Sequence, residues 1–242
     1  MSTQLDSTAQ AIREHLLAGE YGSSGKLREQ NLSQDFGVSR TVIRLALGQL
    51  ELEGLVTREP NKGFRIRSFT LDEVTDAILV RGELEGMAAR LCAQHGLSEV
   101  EQEGLRDILR KLDALLAQGI ESLASRMAWI DLNDAFHARL IDFSRNASLS
   151  ETIASLSGMP LVATSATVFD PKGLGPTLAR LIAAQQDHHL VLEAICSRES
   201  DRAGYIMREH ARKSAENKKL GFDAMQRTQH VPALPGLALV TG

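Results

Sequence analysis

Apolar residues recur at helical spacing along most of the chain, and the exceptions fall before residue 70. A first helix is predicted from about Ser7 to Ala18, where Ala11, Ile12, His15 and Leu16 share a face. GEYGSSG (19–25) reads as a turn. A second helix, about Leu27 to Asp35, ends in FGVS, where Gly37 supplies a turn and Ser39 an N-cap. The third, RTVIRLALGQLELEG, puts Val42, Ile43, Ala46, Leu47 and Leu50 on its inner face and stops at Gly54. Two short alternating segments follow, LVTRE and FRIRS, joined by PNKG, which is the pattern of a hairpin.

From Leu71 the pattern is helical, with helices predicted near 71–95, 98–118, 122–144, 149–168, 176–199 and 201–220. Pro160 should kink or break the fourth of these. No strand signal appears in this half, and VPALPGLALVTG at the end reads as a loose tail or a packed arm. The expected fold is mainly α. Three helices and a two-stranded wing occupy residues 1–68, a six-helix all-α bundle 69–222 and a tail 223–242.

Composition fits a soluble globular protein, with 43% hydrophobic and 24% charged residues. The formal net charge of −4 means that nucleic-acid binding would need a local basic surface. Residues 1–68 carry nine Lys/Arg against eight Asp/Glu, and the remainder 18 against 23, so the asymmetry is slight. Cys92 and Cys196 make no disulfide framework, the N-terminus lacks an apolar signal core, and no run is long enough to span a bilayer. A cytoplasmic protein that does not engage a membrane is expected.

Helix, glycine turn, helix is the arrangement that places a second helix in the DNA major groove. Phe36 to Leu50 contains no acid, and Arg40, Thr41 and Arg44 cluster at the start of the third helix, whose N-terminus itself favours phosphate. Arg40 and Arg44 share the outward face, and Lys62, Arg65 and Arg67 add charge on the wing. A lone R-x-x-x-R is usually just a solvated face; the acid-free run, the turn and the wing together favour DNA. The run GKLREQNLSQDFGVSRTVIRLALGQLELEGLV, followed by PNKGFRI, resembles the winged-helix domain of GntR-family transcriptional regulators over about residues 8–67. The resemblance implies that Arg28, Arg40 and Arg44 contact phosphates and base edges with Ser39 and Thr41 beside them. It also implies that Gly63, next to Lys62, lets the wing tip enter the minor groove. Two departures stand out. Val42-Ile43 replaces the usual Pro-Val, and Leu45 stands where Glu is usual, which alters how Arg44 is oriented and leaves an exposed leucine with no role.

In the bundle, Asn133 and His137 lie one turn apart in line with Ile130, Leu140 and Ile141; His188 and His210 likewise fall on apolar stripes. His189, with Gln185, Gln186 and Glu193, belongs to a wet face. One such histidine is more often a satisfied core residue than a ligand. Three on three helices raise the prospect of a metal, because bundles build metal sites from inward ligands and imidazole suits Zn, Ni and Fe. NDAFHARLI…RNASL, HHLVLEAI and AGYIMREH, after VTDAILVRGELEGMAARLCAQ, resemble the FCD ligand-binding domain of the FadR subfamily, and six helices suggest its VanR-like branch. That resemblance implies a divalent ion, Zn or Ni, held by Asn133, His137, His188 and His210, with a hydrated polar pocket as the alternative. Asn133 departs from the family's Asp; its carboxamide can ligate but brings no charge, and Asp134 is rotated about 100° away.

The resemblance further implies a small carboxylate effector, with Arg81 as its ionic partner or else paired to Glu85, and Arg139 and Asn146 as weaker candidates. The expected function is a DNA-binding repressor, a homodimer on double-stranded operator DNA, tuned by that acid. The competing readings are a metal-dependent hydrolase built on the three histidines and an architectural DNA-binding protein. No acid is clearly placed as a general base, and a hydrolase leaves residues 1–68 idle.

Overall fold

The computed structural model describes residues 4–22, 25–60, 63–156, 178–228 and 239–241. Its elements form two compact units, each with its own core. The first begins with α1 (Gln4–Leu17), β1 (Lys26–Leu27), α2 (Glu29–Asp35) and α3 (Arg40–Leu52). Gly37 takes the left-handed conformation (φ 64°) that the sharp α2–α3 turn needs, and the Ser39 hydroxyl accepts a hydrogen bond from Val42 N at 3.3 Å, capping α3. Ile12, Leu16, Leu32, Ile43, Leu47 and Leu50 bury the facing sides of the three helices. β2 (Val56–Glu59) and β3 (Gly63–Ile66) form the expected antiparallel hairpin. β1 adds a third strand that the pattern did not reveal, pairing Leu27 with Phe64. α2 therefore starts two residues later than its periodicity suggests.

β4 (Phe69–Thr70) follows the wing and pairs in parallel with β5 (Val240–Thr241), so the last described residues form a packed strand on this unit. The second unit consists of α4 (Leu71–His95), whose first turn belongs to the first unit, α5 (Glu99–Gln118), α6 (Leu123–Phe143), α7 (Ala147–Leu156), α8 (Leu178–Cys196) and α9 (Ser200–Thr228). Ser98 and Glu101 form a capping box that starts α5, and Ser122 caps α6. α9 runs eight residues past its expected end. The Pro160 kink, the second half of the predicted fourth helix and Lys62 lie outside the described residues. The bundle core joins Cys92, Leu105, Leu109, Leu112, Phe136, Leu140, Val191, Ile195 and Met207. Cys92 is buried and Cys196 exposed, both free thiols.

Candidate nucleic-acid interface and metal centre

On the first unit, α3 exposes Arg40, Thr41, Arg44 and Leu45 while burying Ile43, Ala46, Leu47 and Leu50. Arg28 is exposed at the N-cap of α2 and makes no side-chain cap. Arg44 is held by a carboxylate that the sequence did not point to. Its Nε and Nη2 donate to Glu29 Oε1 and Oε2 at 3.0 and 2.7 Å, and Arg40 Nη2 lies 3.8 Å from the same carboxyl group. The hydrogen bonds from Arg44, more than the surrounding positive charge, hold the Glu29 carboxyl below its usual range. Glu29 thus orients Arg44 across the turn, a role the neighbouring position 45 cannot fill with leucine. The wing is less basic than its composition suggests, because Arg65 pairs with Glu59 and Arg67 with Glu73. Gly63 opens β3 at φ 86°, in the left-handed region.

In the bundle, α6, α8 and α9 bring His137, His188 and His210 together, fully or almost fully buried, with one ligand nitrogen of each inside a 4.8 Å radius of the others. Their ring centroids are 5.3, 5.4 and 4.7 Å apart. The second set of contacts defines the tautomers. His137 Nδ1 donates to Glu85 Oε2 at 3.0 Å, and Arg81 Nε donates to Glu85 Oε1 at 2.7 Å. His188 Nδ1 donates to Gln185 Oε1 at 3.1 Å, while Gln185 Nε2 donates to Leu109 O and Asp113 Oδ1. Three buried imidazole nitrogens are left without a hydrogen bond: His137 Nε2, His188 Nε2 and His210 Nδ1. The last lies 3.5 Å from Asp187 Oδ2, close enough to feel its charge but not aligned to bond it.

Orphaned buried polar atoms cost roughly 1–3 kcal/mol each, and these belong to three rings that each bring a nitrogen within 4.8 Å of the others, which calls for a common partner. A divalent cation fits: two of the rings expose an acceptor lone pair because the opposite N–H is tied to an outer partner, as in metal sites generally. The electrostatics agree. Burial, reinforced by the neighbouring imidazoles, pushes His188 well below its ordinary value, and burial lowers His210 against the pull of Asp187. Both are neutral, the form that binds metal. Burial pushes the Glu85 carboxyl up, yet His137 and Arg81 outweigh it and bring Glu85 down to about 2. Glu85 is therefore a buried carboxylate that steadies His137.

Asn133 is buried one turn before His137 and lines a cavity of about 230 Å³ with Trp129, Arg180, His210, Lys213 and Lys218. Lys213 is paired with Asp187 at 2.9 Å. Burial, and next the charge of Arg81, lowers Lys218 to about 7. Neither Arg81, Arg139 nor Asn146 lines this cavity. Arg81 is committed to Glu85 one turn along its own helix, Arg139 is exposed, and Asn146 Oδ1 accepts from Leu149 N at the start of α7. Gln185, expected on the wet face, is buried because it bridges His188 to α5; His189 is exposed beside Asp113 as expected.

A winged helix-turn-helix followed by an all-helical bundle is the architecture of a DNA-binding transcriptional regulator. The comparisons agree. Residues 5–66 match the family of bacterial regulatory proteins, gntR family, and residues 76–213 match the FCD domain. The chain belongs to the GntR family of transcriptional regulators and carries an FCD domain. It is 27% identical to the uncharacterized HTH-type regulator YdhC of Bacillus subtilis, over 92% of this chain and 83% of that protein. It is 26% identical to the transcriptional repressor GlaR of Escherichia coli, over 82% of this chain and 88% of GlaR. With the Nta operon regulator of Aminobacter aminovorans it shares 34% identity over 61% of this chain and 64% of the relative. The fold resembles that of E. coli McbR/YncC, with a TM-score of 0.61 and 19% identity, covering 95% of this chain and all of that one. These relatives are regulators and not enzymes, so the hydrolase reading is not favoured. Among the described residues no helix is long and apolar enough to cross a membrane.

Proposed function

We propose that this DNA-binding regulator is a repressor whose operator affinity is set by a small organic acid bound beside a metal ion in the bundle. The observation that carries the reading is the convergence of three buried histidines, each bringing a nitrogen within 4.8 Å of the others, beside a cavity lined by Arg180, Lys213 and Lys218 as well as by Asp187 and Glu216. His137, His188 and His210 hold one divalent ion, Zn or Ni, with Asn133 offering its carboxamide oxygen from the cavity side. The ion supplies a positive centre to which a carboxylate can bind. Lys218 and Arg180 offer further charge to an acid in the cavity, while Arg81 acts through Glu85 and His137. A cavity of this size admits only a small molecule.

The protein works in the cytoplasm, where the chromosome is, as a homodimer reading two half-sites related by its two-fold axis. Val80 and Met87, two turns apart on α4, are 53% and 46% exposed and offer apolar surface for a second copy. α4 starts directly after β4 and carries Arg81 and Glu85, which gives the metal site a covalent route to the wing. Elemental analysis of dialysed protein, with a thermal-shift screen of small carboxylic acids with and without added Zn, tests the reading. About one ion per chain and acid-dependent stabilisation are expected. No metal, and no stabilisation by any acid, leaves a hydrated pocket without a regulatory role.

A further inference from the structure

Leu45 has no part in the function described so far. It is 57% exposed within α3, where the other exposed leucine, Leu52, is the last residue of the helix and lies two turns from the arginine cluster. Single exposed leucines are ordinary on protein surfaces; the company this one keeps is not. At about 100° per residue, Arg40, Arg44, Gly48, Thr41 and Leu45 occupy one sector roughly 140° wide, opposite Ile43, Ala46, Leu47 and Leu50. The leucine is therefore continuous with the arginine-bearing face. Being the sixth residue of α3, it still belongs to the N-terminal half, the part of a recognition helix that reaches base edges.

Gly48 is an independent sign that something approaches this face. It stands in the middle of a helix, where glycine destabilises relative to alanine. A Cβ built there would meet nothing within 4 Å, so no contact inside the protein requires the missing side chain. A glycine without an internal reason, at the centre of the exposed sector and one turn after Arg44, leaves the surface open to close approach by a partner's backbone or base edges.

We propose that Leu45 is a specificity-determining residue that reads thymine in the operator's major groove, its side chain packing on the C5 methyl group, with Gly48 providing the space for that approach. The thymine methyl is the one apolar feature of the major-groove edge, and aliphatic side chains are its natural partners. More than half of Leu45 is exposed, so its substitution should cost the fold little.

The full-length protein is first used to select its preferred duplex from random-sequence DNA. Each thymine of that duplex is then replaced singly by deoxyuridine, which removes only the methyl group, and affinities are measured for wild type and Leu45→Ala. At one thymine per half-site the wild type should lose about fourfold, the effect of one buried methyl, and Leu45→Ala should be indifferent there. Leu45→Glu should shift selection at that position toward cytosine, whose N4 amine a carboxylate can accept from. Gly48→Ala should melt higher than wild type yet bind the operator several-fold more weakly. The same deoxyuridine profile and the same selected sequence for wild type and Leu45→Ala would overturn the assignment, as would a wild type with no methyl-sensitive thymine. Undiminished DNA binding by Gly48→Ala would overturn the role given to Gly48.

Discussion

The two functional regions of this chain handle charge in opposite ways. On α3 the arginines are exposed and partly neutralised by a carboxylate of the same protein, Arg44 being held by Glu29 in a bidentate pair. In the bundle, the histidines are buried, burial keeps His188 and His210 neutral, and one nitrogen of each of the three rings has no hydrogen bond. The first arrangement is an exchangeable one: a phosphate or guanine can take over the guanidinium in water at little cost, and salt competes with it. The second is preorganised and dry. A cation that fills it is tied to folding and to competition with protons as much as to binding. Disturbing the first region should therefore change DNA affinity and leave stability alone, whereas disturbing the second should change stability and metal content first.

The largest effect belongs to α3. Arg40→Ala or Arg44→Ala should lower operator affinity by roughly tenfold to a hundredfold or more, since one bidentate base contact sets discrimination of that order. Each should also reduce the slope of log affinity against log salt by about one if the lost contact is to phosphate. Gel shifts at several salt concentrations, paired with melting curves, check both points. An unchanged melting temperature is expected, because neither guanidinium is buried.

The next effect is in the bundle. Protein stripped with a chelator should regain about 2.7 kcal/mol of stability when free Zn reaches a hundred times its Kd, measured by calorimetry. Glu85→Gln should weaken metal affinity by about 10- to 100-fold, the usual cost of removing an outer partner of a ligating histidine. Asn133→Asp should strengthen it by restoring an anionic ligand; an unchanged affinity would put residue 133 outside the coordination sphere.

A smaller effect is the pH dependence of the stripped protein. His188 and His210 have folded-state values below 6.5, so between those values and 6.5 the unfolded chain binds more protons than the folded one. Stability should be full above about pH 7 and fall as the pH drops through 6.5. Glu85 contributes in the same direction but lower, its contribution being lost as the pH falls from about 4.5 toward 2. Melting curves from pH 8 to pH 4 check the sign.

The contrast between the regions also explains what could be seen in the sequence. The recognition helix and its arginines were legible because an acid-free run beside an apolar stripe is a local pattern. The three histidines were legible because each breaks an apolar stripe within its own helix. Their partners were not. Glu29 meets Arg44 across 15 residues, Glu85 meets His137 across 52, and Gln185 reaches α5 across 76, and such long-range pairings leave no periodic trace. Lys218 was missed although it falls inside the predicted last helix, because a helical lysine reads as a solvated face and its burial is decided by the tertiary packing around it. β1 and β5 escaped for a related reason: two-residue strands are defined by the strand they pair with, not by their own alternation.

The central claim is that the buried histidine cluster is a metal site, and a titration of Zn into chelator-stripped protein, followed by calorimetry, tests it most directly. Wild type should take up about one ion per chain, and His188→Ala should take up none at the same concentrations while retaining its helical circular-dichroism signature. Wild type that binds no ion, or His188→Ala that binds as tightly as wild type, would contradict it.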